Sequence, residues 1–253
     1  QIIIDECRLN GGYINYFTDL QSKTNLDIFP VSEPDSLTEE SQDFIYGIDL
    51  MMLKFNDVSV NYTDLTQGMF AELNGLNVSA KGKMKGENIV GNVKMSLRDI
   101  AYQQTTDSLS MAVKLNDLKL EGDADMRGDD IKADIEASSS VLCYESEGQE
   151  ASLNSFNIKF KGDVNDYDKI KGNAEMSVND LSFVMDEQLL LNNADLRMIL
   201  PLDATMSSMD VEIGNSQLAL NNIMIDLIGK ASMPDDDSNI DLKLKTNTLI
   251  VEE

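Results

Sequence analysis

The chain has 253 residues, 45 acidic against 20 basic side chains, a formal charge of −25, and neither histidine nor tryptophan. Such a field repels phosphate backbones, which argues against nucleic acid as a partner, and it opposes adsorption to an anionic bilayer by charge alone. The lack of histidine rules out Ser-His-Asp and Cys-His nucleophile systems and most zinc chemistry.

The hydrophobic fraction of 42% is spread evenly, so most of the chain is expected to fold. In chain order, Gln1-Ile2-Ile3-Ile4-Asp5 reads as a strand and lacks the basic start of a signal peptide. The sequence is therefore expected to be a portion of a longer or processed protein, with any anchor or export signal outside it. Residues 1–29 form an N-terminal strand segment. Residues 30–43 form a polar linker with Pro30 and Pro34, and the stretch from Ser36 to Phe44 offers at most one turn of helix. Cys7 and Cys143 stand far apart with no second pair and read as free packing residues. The longest apolar run, Leu218 to Gly229, is broken by Asn221, Asn222 and Asp226 and does not span a bilayer.

From 44 to 253 the chain repeats itself. The word Leu-Asn-x-apolar-x-apolar begins at Leu73, Leu115, Leu153, Leu191 and Leu220, at spacings of 42, 38, 38 and 29. A second word, Asn56-Asp57-Val58, Arg98-Asp99-Ile100 and Asn179-Asp180-Leu181, precedes some copies. Around these words the chain alternates with period two, as in Ile240-Asp241-Leu242-Lys243-Leu244-Lys245, which puts apolar side chains on one sheet face and polar ones on the other. Lys85-Gly86-Glu87-Asn88, Arg127-Gly128-Asp129-Asp130 and Pro234-Asp235-Asp236-Asp237 supply turns short enough for antiparallel hairpins. The expected fold is all-β: an elongated, twisted, mostly antiparallel sheet of tandem β-meander repeats of about 40 residues, curled into a groove or open barrel. The units fall at roughly 44–96, 97–137, 138–177 and 178–253, each read as about three strands.

The segment Gly12-Tyr13-Ile14-Asn15-Tyr16-Phe17-Thr18-Asp19, followed by Lys23-Thr24-Asn25-Leu26-Asp27-Ile28-Phe29, resembles a segment of AsmA-like proteins, with Leu26 where that family carries tryptophan. The end of the chain, Leu227-Ile228-Gly229-Lys230-Ala231-Ser232 to Asp241-Leu242-Lys243-Leu244-Lys245-Thr246, is similar to the close of that family's repeat block. The resemblance implies a non-enzymatic bacterial envelope protein on the periplasmic side of a Gram-negative envelope, anchored in the inner membrane through a segment absent from this chain. It also implies a role in outer-membrane biogenesis and lipid movement, with lipid acyl chains and other envelope proteins as partners.

The apolar positions of the Leu-Asn words are Leu76, Val78, Leu118, Leu120, Phe156, Ile158, Ile223 and Ile225. They form either a track facing acyl chains or an ordinary core closed by a second sheet or by the sheet curling on itself. A structural or adhesive module that binds proteins through edge strands is the alternative function. Asp123-x-Asp125-x-Arg127-Gly128 departs from a calcium loop at Arg127 and at Asp134 and reads as an acidic turn, and Asp235-Asp236-Asp237 as a solvated one. Paired carboxylates are abundant in so acidic a chain and aromatics are only 6% of it, which speaks against glycosidase chemistry. No catalytic residue, metal or cofactor is expected.

Overall fold

The computed structural model describes residues 2–25, 47–106, 109–232 and 239–247. The polar linker at 30–43, the Ser36 to Phe44 stretch and the Pro234 turn lie outside the described residues. The protein is all-β, one large and mostly antiparallel sheet of 15 strands. Its first edge is β1 (Ile2–Ile4) and β2 (Cys7–Thr18), both parallel to β3 (Ile48–Asp64). The N-terminal segment thus joins the same sheet as the repeats. From β3 the order is sequential and antiparallel through β4 (Met69–Lys85), β5 (Asn88–Thr106) and β6 (Leu109–Arg127).

The next two ladder positions are long strands that each break once. β7 (Asp130–Ser139) and β8 (Val141–Ser146) are separated at Ser140, and β9 (Gln149–Leu153) and β10 (Ser155–Asn165) at Asn154. Pairing runs from β6 through β7 and β10 to β11 (Lys169–Met185), and separately from β6 through β8 and β9 to β11, so the ladder is ring-like around the two breaks. The sheet ends with β12 (Gln188–Thr205), β13 (Asp210–Leu220), β14 (Ile223–Ser232) and β15 (Asn239–Thr246).

Two strands make one repeat, where the alternation suggests three. The hairpins 48–85, 88–127, 130–165 and 169–205 succeed one another at the period read from the words. The words at Leu153 and Leu220 mark strand ends, at the Asn154 break and at the turn between β13 and β14. The others sit in mid-strand and include left-handed residues: Asp57 at φ 51°, Gly75 at 69°, Asp117 at 52°, Asp180 at 53° and Asn193 at 49°. A left-handed residue in a ladder is the signature of a β-bulge, one extra residue that bends the strand and raises its twist. The register shows the insertion directly. Val58 and Val60, two apart, pair with Leu76 and Leu73, three apart. Phe55 and Val58, three apart, pair with Val78 and Leu76, two apart.

The bulges line up into a seam crossing the sheet, and the Asn and Asp side chains of the words satisfy the backbone there. Asn77 Oδ1 accepts from the Asp57 amide at 3.0 Å, and Asn221 Oδ1 from the Asp195 amide at 2.7 Å. Asn116 Nδ2 donates to Asp99 Oδ1 at 2.8 Å and Asn154 Nδ2 to Asp180 Oδ2 at 2.8 Å. At the Ser140 break, the Ser139 hydroxyl donates to the Asn116 carbonyl at 2.7 Å and the Ser140 hydroxyl to Asp117 Oδ2 at 2.8 Å. Each bond occupies a backbone or carboxylate group that the interrupted ladder leaves open.

Gly75 shows why residue type matters on this seam. A Cβ there would stand 3.0 Å from the Arg98 Cβ at a φ that β-branched residues avoid. Gly75→Val is predicted to destabilise by about 1–3 kcal/mol. Asp57→Gly, at an equally left-handed but exposed position, should change stability by less than about 1 kcal/mol. The urea midpoints of the two variants test this; equal shifts would remove the seam's conformational argument.

Candidate functional site

Period-two alternation assigns faces strand by strand, and the register assigns them across the sheet. Val58 and Val60 share a face, so their partners Leu76 and Leu73 share it as well, and the same reasoning carries Phe55 to the face of Val58. The bulge therefore keeps the apolar side chains on one face through the seam. From there one row runs through hydrogen-bonded neighbours: Phe55, Val78, Met95, Leu120, Ala137, Ile158, Met176, Met198, Leu218 and Ile225. It contains no charged residue.

All eight residues singled out from the words lie on this face. Val78, Leu120, Ile158 and Ile225 belong to the row just traced, while Leu76, Leu118, Phe156 and Ile223 stand one step nearer the seam. There they pair with Val58, Leu97, Val178 and Leu220. These eight come from words on β4, β6, β10 and β14, and the word at Leu191 adds Ala194 and Leu196 on β12. Met95, Leu97, Ala137, Met176, Val178, Met198 and Leu218, which no recurring word flags, complete the face.

Among the described residues no second layer seals the face. Among the described residues only Val58, Leu97, Val178, Ala194 and Ala204 are buried apolar side chains, Val58 at 1% exposure, whereas Ile158 is 43% exposed. The whole chain exposes 17943 Å², against about 11,000 Å² for a compact chain of this size. Nine inter-strand spacings of about 4.8 Å make the row about 43 Å long, and the face extends about 27 Å along β6 from Leu118 to Met126. Its plan area, about 1,100 Å², exceeds the roughly 300–600 Å² of the largest apolar patch on a typical monomer. Within it, Phe160 lies flat over glycine: its Cζ would stand 2.8 Å from a Cβ at Gly162, and its Cε2 3.1 Å from one at Gly172.

The opposite face is charged and paired. The like charges Glu121 and Glu136 face each other across β6 and β7, as do Asp123 and Asp134. Lys94 pairs with Glu121, Lys159 with Glu136 at 3.2 Å and Lys161 with Asp134 at 2.7 Å. Lys171 pairs with Asp203 at 3.1 Å and Lys230 with Glu212 at 2.8 Å. The hydrogen bond that Lys161 donates to Asp134 raises the Lys161 pKa, and the one that Lys230 donates to Glu212 raises Lys230. A cavity of about 960 Å³ opens on this face as a trench. Its floor is the backbone of Gly82, Gly91, Ala124 and Ala133, and its walls are Lys and Asp side chains together with Met51 and Val90. The large apolar neighbours Met84, Ile89, Met126 and Ile131 take no part in it.

Asp123 and Asp125 lie within β6 rather than in a loop, and Arg127, at the expected fifth position of a calcium loop, bonds Asp125 at 2.9 Å. The carboxyls that shift, Asp64, Asp125, Glu136 and Asp210, all shift downward. Their main causes are the Thr66 hydroxyl at Asp64, Arg127 at Asp125, Asn157 and then Lys159 at Glu136, and Ser208 and then Ser232 at Asp210. Each is thereby held as a charge-paired or hydrogen-bonded carboxylate. Both cysteines are free. No family model, curated protein or solved structure matches the chain.

Asp64 closes the turn after β3: its Oδ1 accepts from the Thr66 hydroxyl at 2.6 Å, the Thr66 amide at 2.9 Å and the Gln67 amide at 3.2 Å. These bonds hold its pKa below the ordinary value against the opposing effect of burial. A lowered folded pKa means stability that is present above the unfolded pKa of about 3.9 and lost as pH falls through the folded value. Asp64→Asn is therefore predicted to be less stable than the parent at neutral pH, with the gap closing in acid. Urea midpoints across that range test it, and a gap independent of pH would contradict it.

Proposed function

We propose that this protein shields or conducts lipid acyl chains along the apolar face of its sheet, without covalent chemistry. The observation that carries the reading is the unbroken apolar row over ten strands on a face that nothing among the described residues seals. A core closed by a second sheet would bury these side chains, and an ordinary surface would interrupt them with charge. The row is longer than the about 30 Å hydrocarbon thickness of a bilayer, so it accommodates more than the extent of one leaflet. The downward-shifted carboxylates and charge-paired trench of the other face support a passive surface better than an acid-base cleft.

On the resemblance of Gly12 to Phe29 and Leu227 to Thr246 to AsmA-like proteins, the proposed setting is the periplasmic side of a Gram-negative envelope. The proposed role there is a contribution to outer-membrane biogenesis by a parent protein anchored in the inner membrane. A second reading, protein binding through edge strands, draws on β15. Among the described residues β15 pairs with β14 alone, and its Ile240, Leu242 and Leu244 are 57%, 46% and 66% exposed.

Mass spectrometry of organic extracts from the purified protein, beside an equally acidic control, is the test. Phospholipid is expected to be enriched over the control and lost in folded Leu118→Asp and Phe156→Asp variants, but retained in Lys119→Asp, one residue away on the opposite face. No enrichment from folded protein, or equal loss in Lys119→Asp, would overturn the acyl-chain reading and favour the edge-strand one.

A further inference from the structure

We infer that one end of the apolar face is an interfacial site for an amphiphile: alkyl chains enter gaps in a row of aromatic rings, and a head without net negative charge rests at the tyrosine hydroxyls. The inference rests on the acyl-chain reading above and adds an orientation and a headgroup class.

Beyond the seam from the long apolar row, Tyr62, Tyr102, Tyr144 and Phe183 recur once per hairpin. The register joins them in one row with small residues between: Tyr62 pairs with Ala71, Ala71 with Tyr102, Tyr102 with Val113, Val113 with Tyr144, Tyr144 with Ala151 and Ala151 with Phe183. Tyr62 is two residues from Val60 and so lies on the apolar face. At the edge Tyr16 stacks on Tyr62, with ring centroids 5.2 Å apart and planes 3° from parallel. That separation is close to the strand spacing, so these rings turn their faces along the row.

Rings two strands apart are separated by about 9.6 Å. A hydrocarbon chain between two ring faces needs about 3.5–4.0 Å on each side, or about 7–8 Å in all. Each gap thus admits one chain, over a floor of Ala71, Val113 or Ala151.

The hydroxyls fix the direction. Tyr102 donates to Gln104 Oε1 at 2.9 Å and Tyr62 to Asp64 Oδ2 at 3.4 Å, both toward the strand ends and away from Ile100 and the deeper apolar rows. An apolar ring with its polar tip at the water side is the arrangement tyrosine adopts at membrane interfaces. The next row outward sets Gln104, Ser146, Gln149 and Gln188 among Met69, Met111 and Met185, with Asp64 its one charge. Amides and hydroxyls bond an uncharged or zwitterionic head, while Asp64 and a chain charge of −25 repel an anionic one.

Tyrosine emission reads this directly, because the chain has no tryptophan and four of its seven tyrosines, Tyr16, Tyr62, Tyr102 and Tyr144, belong to the row. The protein is incubated with vesicles of phosphatidylcholine bearing a nitroxide either near the ester or near the terminal methyl of one chain, then separated from them. The ester-end label is expected to quench more than the methyl-end label, and phosphatidylglycerol with the same label to quench less than phosphatidylcholine. Ala71→Leu with Ala151→Leu, which fill two gaps, should reduce the ester-end quenching. Equal or stronger quenching by the methyl-end label, with extraction still lost in Leu118→Asp, overturns the orientation and leaves the acyl-chain reading standing. Phosphatidylglycerol quenching as strongly as phosphatidylcholine overturns the headgroup class. Extraction of neither lipid overturns both readings.

Discussion

A one-residue slip in a β-ladder moves a strand's entire apolar set to the other face, and this protein inserts an extra residue in the middle of its long strands. The sheet keeps one apolar face only because neighbouring strands make the insertion at the same level. Between β3 and β4 the two bulges are offset, and the register recovers within a few residues. Between β5 and β6 the pairs Leu97 with Leu118 and Ile100 with Leu115 keep step, three residues apart on both strands. The Asn and Asp residues of the seam hold it by bonding what the ladder leaves open, and they tolerate left-handed backbone better than other non-glycine residues.

The seam also accounts for the architecture. Long strands bent at a common level form a single layer that exposes far more surface than a compact chain, with the core reduced to a few side chains at or near the bulges, such as Val58, Leu97 and Val178. The apolar side chains that a second layer would cover remain half-exposed, and the opposite face takes up the charge. Cross-strand lysines there separate carboxylates that the register sets directly opposite each other. Such exposed pairs each contribute little to stability, but they relieve repulsion that would act against this register.

The faces differ in chemistry along the strands as well as across them. On the apolar side the sequence of levels is aliphatic rows, seam, aliphatic row, aromatic row and a rim of amides and hydroxyls set among methionines, so polarity rises toward one set of strand ends. The trench on the charged side has a small-residue floor for a related reason: Gly162 and Gly172 leave their apolar side free for the Phe160 ring and present only backbone to the other.

The all-β class, the antiparallel hairpins, the period and the apolar identity of Leu76, Val78, Leu118, Leu120, Phe156, Ile158, Ile223 and Ile225 were legible in the sequence by itself. Alternation and turn residues act over a few positions and need no tertiary partner. In the words at Leu73, Leu115 and Leu191, the step from the leucine to the next apolar residue, three positions instead of two, also carried the bulge, although the Asn beside it reads as surface polarity until its partner is seen. Only the tertiary structure decided that a repeat is two bent strands, that Met95, Ala137, Met176, Met198 and Leu218 complete the row, and that the tyrosines line up. Those neighbours lie tens of residues apart in the chain, and hydrogen-bond register, set jointly by loop length and by every bulge between them, is what brings them side by side.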